Sequence, residues 1–92
     1  MVELARRLRR RDRVLARQAA GTLVLLDLDS GQYFSLDGVG ARAWELCDGE
    51  RDVGAILDAL GDEYDAPIEV VREDLIAFLR EMLDEALLVG DD

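Results

Sequence analysis

The sequence predicts one α+β domain in which three short antiparallel strands precede three helices, in the order β-β-β-α-α-α. Three observations carry that expectation. Apolar residues fall in short runs over residues 13–36 and then recur at helical spacing over residues 37–88. Gly21 and Gly31 separate apolar runs short enough to be strands. Asp37, Asp52 and Pro67 each stand where a helix would begin. A chain of 92 residues holds one small core and no linker long enough to divide it.

Each element has its own reason. Residues 13–17 make a weak first strand, and Ala19, Ala20 and Gly21 supply a turn. Residues 22–28, rich in Leu with β-branched Thr22 and Val24, make the second strand. Asp29, Ser30 and Gly31 form a hairpin turn in which Gly31 can take a positive φ. Residues 32–36 make the third strand, with Phe34 and Leu36 on one face. Asp37 is a plausible N-cap for a helix through Ala43, Trp44 and Cys47 that ends near Gly49. Asp52 caps a second helix with Ile56, Leu57, Leu60 and Tyr64 on one face. Pro67 suits the first position of a third helix, with Ala66 as a poor cap before it. That helix carries Val71, Leu75, Phe78, Leu79, Met82 and Leu83, an apolar stripe wider than one packed face needs. On this spacing Phe78 and Val71 are expected near its centre and Leu79 toward a flank.

The charge is lopsided. Residues 1–20 hold seven of the 11 arginines, whereas acids dominate the rest and bring the formal net charge to -10. Residues 1–12 therefore read as a basic arm, at most a fraying amphipathic helix through Leu4 and Leu8. The arm is expected to add little core, and residues 13–90 to form the domain proper. The first residues lack the apolar core of a signal peptide, and no apolar run approaches the ~20 residues of a membrane span. A cytoplasmic protein is the expectation.

Chemistry is sparse. With no His and one Cys, a zinc site, a His-based triad and an intrachain disulfide are all disfavoured. Cys47 reads as a small buried hydrophobe and Asp27 as a surface residue within an apolar strand. Gly38, Val39 and Gly40 have no Lys or Ser/Thr after them to make a phosphate loop. No catalytic residue, metal or cofactor is expected. The arginines suggest DNA, and a winged-helix transcription regulator is the alternative reading, but the third helix is net acidic and a phosphate backbone would repel it. The third strand is an edge in chain order. A peptide could add a strand there and set side chains against the third helix. On the residues alone, the reading preferred is that the wide stripe is all core and that the arm blocks the edge.

The ordered set of residues 24–36, 39–49, 56–60, 63–65, 71–79 and 87–88 resembles the PqqD-like family of peptide recognition elements. Within it, the Asp29-Ser30-Gly31 hairpin and Gly40-Ala41-Arg42-Ala43-Trp44-Glu45-Leu46 are similar to the freestanding leader-binding proteins of lasso peptide maturation. The resemblance implies a winged-helix-turn-helix-like fold, no enzymatic activity, and capture of a precursor's leader peptide by strand addition. It implies a separate leader peptidase or other modifying enzyme as partner, and neither nucleic acid nor membrane. Carried over by position, Gln32, Tyr33, Phe34, Ser35 and Leu36 supply the backbone edge. Val71, Leu75, Phe78 and Leu79 supply pocket walls, flanked by Arg72 and Asp74. The arginine arm and Ala66 depart from the family pattern.

Overall fold

The computed structural model describes residues 3–90. Strands β1 (Arg7–Arg10), β2 (Val14–Ala19), β3 (Thr22–Asp27) and β4 (Tyr33–Leu36) come first. Helix α1 (Gly38–Leu46), strand β5 (Asp48–Asp52), helices α2 (Val53–Glu63) and α3 (Ile68–Asp84), and strand β6 (Leu88–Gly90) follow. The expected meander is present as the sheet β2-β3-β4, all antiparallel. Ala20 (φ 52°) and Gly21 (φ 83°) make the two-residue turn between β2 and β3 with both φ values positive, as the strand twist favours. Leu23, Leu25 and Leu36 point inward onto the helices, and Phe34 packs half-buried beside them.

Expectation and structure part at the second sheet, which has the order β5-β1-β6. The simple β-β-β-α-α-α order of a winged helix gives way to six strands in two sheets among the described residues. The expected basic arm is corrected as well. Residues 7–10 form the central strand of this second sheet, and the Leu8 side chain is fully buried in the core. A strand suits this run better than a helix does. Alternation sends Leu8 inward and its neighbours Arg7 and Arg9 outward. Pairing then sets Arg7 opposite Asp52 and Arg9 opposite Asp48 in the antiparallel register of β1 and β5.

The helices begin and end near their expected positions. The Asp52 carboxylate accepts from the Ala55 backbone N–H at 2.8 Å and caps α2. Pro67 is itself the cap of α3, one residue before the expected place, because its ψ of 137° is not helical. At the other end, Leu87 N–H donates to the Met82 carbonyl (2.9 Å) and Ala86 N–H to that of Leu83 (3.1 Å). These bonds form a Schellman motif whose left-handed residue is Ala86 (φ 58°), where glycine carries no Cβ penalty. Ala86→Gly is expected to raise stability by about 1 kcal/mol, read as a higher denaturant midpoint at unchanged slope.

Candidate functional site

β4 is an edge strand, and its register fixes which groups it leaves unpaired. Asp27 N–H donates to the Gln32 carbonyl at 3.0 Å, while Gly31 N–H donates to the Asp27 carbonyl at 2.7 Å. Gly31 (φ 77°) and Gln32 together oppose Asp27, a bulge that glycine permits. Bonded and non-bonded pairs alternate from there in an antiparallel ladder. Phe34, opposite Leu25, and Leu36, opposite Leu23, therefore turn their backbone groups toward β3. Tyr33 and Ser35 turn their N–H and C=O groups to the open edge.

Where β4 ends, α3 crosses. A hollow of about 390 Å³ lies between Asp37, Gly38, Val39 and Gly40 on one side and Asp74, Ala77, Phe78 and Glu81 of α3 on the other. A second hollow of about 460 Å³ continues along α3, floored by Ile76 and Ala77 and rimmed by Glu69, Arg72, Glu73 and Arg80. Ala77 belongs to both. The Phe78 ring packs so closely on Gly40 that a Cβ there would approach it to 3.2 Å. Glycine thus lets α1 and α3 meet beneath the hollow.

The residues singled out from sequence divide in two. Gln32, Tyr33, Ser35, Arg72 and Asp74 are exposed, and Phe34 and Phe78 are half-buried near the open edge or a hollow. Leu36, Val71, Leu75 and Leu79 are core and cannot wall a groove as side chains. This reverses the expected roles of Phe78 and Leu79. Val71, Leu75, Leu79 and Met82 form one buried row, and at 100° per residue Phe78 sits about 60° from its centre. Sequence reasoning missed Val39, Gly40, Ala77 and Glu81 in the hollows. The helical wheel of α3 could have found Ala77 and Glu81, but nothing local marks the meeting with α1.

Asp27 is also corrected, from surface acid to buried ion pair. Its carboxylate lies 2.8 Å from the Arg11 guanidinium and accepts from Asp29 N–H at 3.0 Å. The Arg11 hydrogen bond, helped by backbone N–H groups and opposed by burial, lowers its pKa from 3.8 to about 2. Arg11 also reaches Asp29 and the Ala86 carbonyl, so one side chain ties β1 to the β3–β4 turn and the end of α3. A depressed carboxylate gives stability that is complete above its ordinary pKa and is lost as pH falls through the folded value. Melting temperature is therefore expected to drop between about pH 4 and pH 2. Asp27→Asn should melt lower at pH 7 and show a shallower acid slope over that interval.

The remaining polar groups do structural work. The Arg10 guanidinium donates to the Trp44 and Glu45 carbonyls (3.0 and 2.7 Å), capping α1, which has no basic residue in its own last turn. Arg13 pairs with Asp29. Arg10, Arg11 and Arg13 are thus engaged within the fold. Burial pushes the Cys47 thiol up to about 12, so it holds no thiolate at neutral pH. No helix among the described residues is long and apolar enough to cross a membrane.

Comparison with known proteins adds to this geometry. The family description Coenzyme PQQ synthesis protein D (PqqD) matches residues 22–88. A PqqA binding protein of Bradyrhizobium diazoefficiens is 38% identical over 52 residues, 56% of this chain and 50% of the relative. One from Gluconobacter oxydans is 36% identical over 55 residues, 60% of this chain and 57% of the relative. The chain thus spans about half the length of the curated relatives it matches. Among solved structures, TbiB1 in complex with the TbiA(beta) leader peptide is 36% identical with a TM-score of 0.78, covering 91% of this chain and 98% of that one. A lasso peptide synthetase B1 complexed with the leader peptide has a TM-score of 0.77, covering 89% of this chain and 96% of that one. At 21% identity it speaks to the fold alone.

Proposed function

Because the chain belongs to the PqqD family, we propose that it is a non-enzymatic protein that captures the leader region of a ribosomally made precursor peptide. The leader adds a strand to β4, beside α3, and the protein delivers the tethered precursor to separate maturation enzymes, a leader peptidase or a cyclase, in the cytoplasm. One observation carries the reading. An unpaired β4 edge runs into hollows on α3, in a chain 36% identical to a protein solved with a leader peptide over 98% of that protein's length. Backbone bonds to Tyr33 and Ser35 would give affinity whatever the sequence, and the hollows around Phe78 and Ile76 would select side chains. Tethering raises the effective concentration of the precursor's modification site at the enzyme.

The inverted roles of Phe78 and Leu79 supply the test. Leu79→Ala opens a cavity in the core and should cost about 3 kcal/mol of stability. Phe78→Ala removes a half-exposed ring and should cost about 1 kcal/mol, yet weaken leader binding at least tenfold. Chemical denaturation and fluorescence anisotropy with a labelled leader peptide measure the two quantities. Leader affinity unchanged in Phe78→Ala would remove the α3 hollow from the binding site.

A further inference from the structure

β4 borders its sheet on one side and β2 on the other, since β2 pairs with β3 alone. The two-residue turn at Ala20 and Gly21 makes Ala19 and Thr22 exchange backbone bonds, and the alternation runs back along β2 from there. Arg17 and Leu15 therefore bond to β3. The Arg13 carbonyl, in step with them, accepts from Leu28 N–H at 2.9 Å. Val14, Ala16 and Gln18 turn their N–H and C=O groups to the open edge. Beneath that edge lies a hollow of about 680 Å³, bordered by β2, Trp44, Arg10, Arg11 and Arg13. Its three arginines outnumber its two acids, Asp12 and Glu45. The Arg10 guanidinium donates to the Trp44 and Glu45 carbonyls from one terminal nitrogen, which leaves the rest of its fork unbonded among the described residues. Arg17, on the opposite face of β2, makes no ion pair among the described residues. In a chain of net charge -10, cations thus gather on both faces of one bare strand edge.

We propose that β2 is a second strand-addition edge, on which an acidic segment of another protein docks in extended form. The inference stands apart from leader capture at β4. The free N–H and C=O groups of Val14, Ala16 and Gln18 supply the ladder, whatever the sequence of the segment. Charge supplies the selection. Alternate side chains of a strand paired with β2 point to the face that holds the hollow, so carboxylates at every second residue meet the open donors of Arg10. The side chains between them lie beside Leu15, which is 55% exposed, and Arg17. An unguarded edge invites any strand, and these arginines repel a basic one while admitting an acidic one. They also oppose self-pairing. A second copy, paired about a two-fold axis through Ala16, would bring both hollows and their arginines to one seam. β2 and β4 lie on opposite sides of β3, so both edges can be filled at once.

The probes are two short labelled peptides, one of alternating Glu and Val and one of alternating Lys and Val, each titrated into the full chain. The acidic peptide should bind at least tenfold more tightly than the basic one, and more weakly as salt rises. Amide hydrogen exchange locates it. Saturation with the acidic peptide should slow exchange at Ala16 and Gln18 at least tenfold and leave Leu15 and Arg17, already bonded to β3, nearly unchanged. Ala16→Pro removes an N–H that bonds to nothing within the sheet, so it should melt within a few degrees of the unmodified protein and bind the peptide at least tenfold more weakly. Arg17→Glu should weaken binding and flatten its salt dependence without touching the ladder. No saturable binding up to about 1 mM, or equal affinity for the basic peptide, overturns the proposal. Protection at Tyr33 and Ser35 instead of Ala16 and Gln18 overturns it by placing the acidic peptide at β4. Self-association in sedimentation equilibrium that Ala16→Pro abolishes overturns it in favour of a second copy. None of these outcomes depends on whether a leader binds at β4.

Discussion

Deleting residues 1–11 is expected to unfold the protein. The segment contains the central strand of the β5-β1-β6 sheet, so its removal leaves β5 and β6 without a partner. It removes the fully buried Leu8, the Arg10 cap on α1 and the Arg11 bonds to Asp27, Asp29 and the Ala86 carbonyl. Leu8→Ala alone should cost about 3 kcal/mol, a large part of the ~5–10 kcal/mol that stabilises a domain of this size. The whole deletion should exceed that total. Circular dichroism of the truncated chain should show no cooperative melt, and Leu8→Ala should melt well below the unmodified protein. A truncated chain that keeps its melting transition would show that β1 is an ornament on a core complete without it.

What could be read from the sequence follows the range of the interactions. The Asp52 cap, the glycine turns and the inward pair Phe34 and Leu36 are set by neighbours in the chain, and the structure has them in place. β1 and β5 read as Arg-Leu-Arg-Arg and Asp-Gly-Glu-Arg-Asp, with almost no apolar alternation to signal a strand. They exist because their backbones pair, Arg7 opposite Asp52 and Arg9 opposite Asp48, across more than 35 residues of chain. Asp27 belongs to the same class, since its partner Arg11 lies in the segment expected to fray. The edge strand of the candidate site was legible for the local reason, its place last in a meander. Its parity was not, because it depends on the bulge at Gly31 and Gln32. On α3, long-range packing decided that Leu79 faces the core and Phe78 meets Gly40.

The central claim is that a peptide pairs with the open side of β4, and backbone N-methylation tests it one hydrogen bond at a time. Semisynthesis allows a methyl group on the amide of Ser35 or of Phe34. The Ser35 N–H faces the open edge, so methylating it removes no bond within the protein and obstructs an incoming strand. The Phe34 N–H faces β3, so methylating it breaks the ladder and should disrupt the fold. Leader affinity by fluorescence anisotropy and melting temperature are then measured for both. The account predicts that N-methyl-Ser35 melts within a few degrees of the unmodified protein yet binds leader at least tenfold more weakly, the loss of about 1.4 kcal/mol or more. N-methyl-Phe34 should instead lose its fold. An N-methyl-Ser35 protein that is folded and binds leader as tightly as before would contradict strand addition at β4.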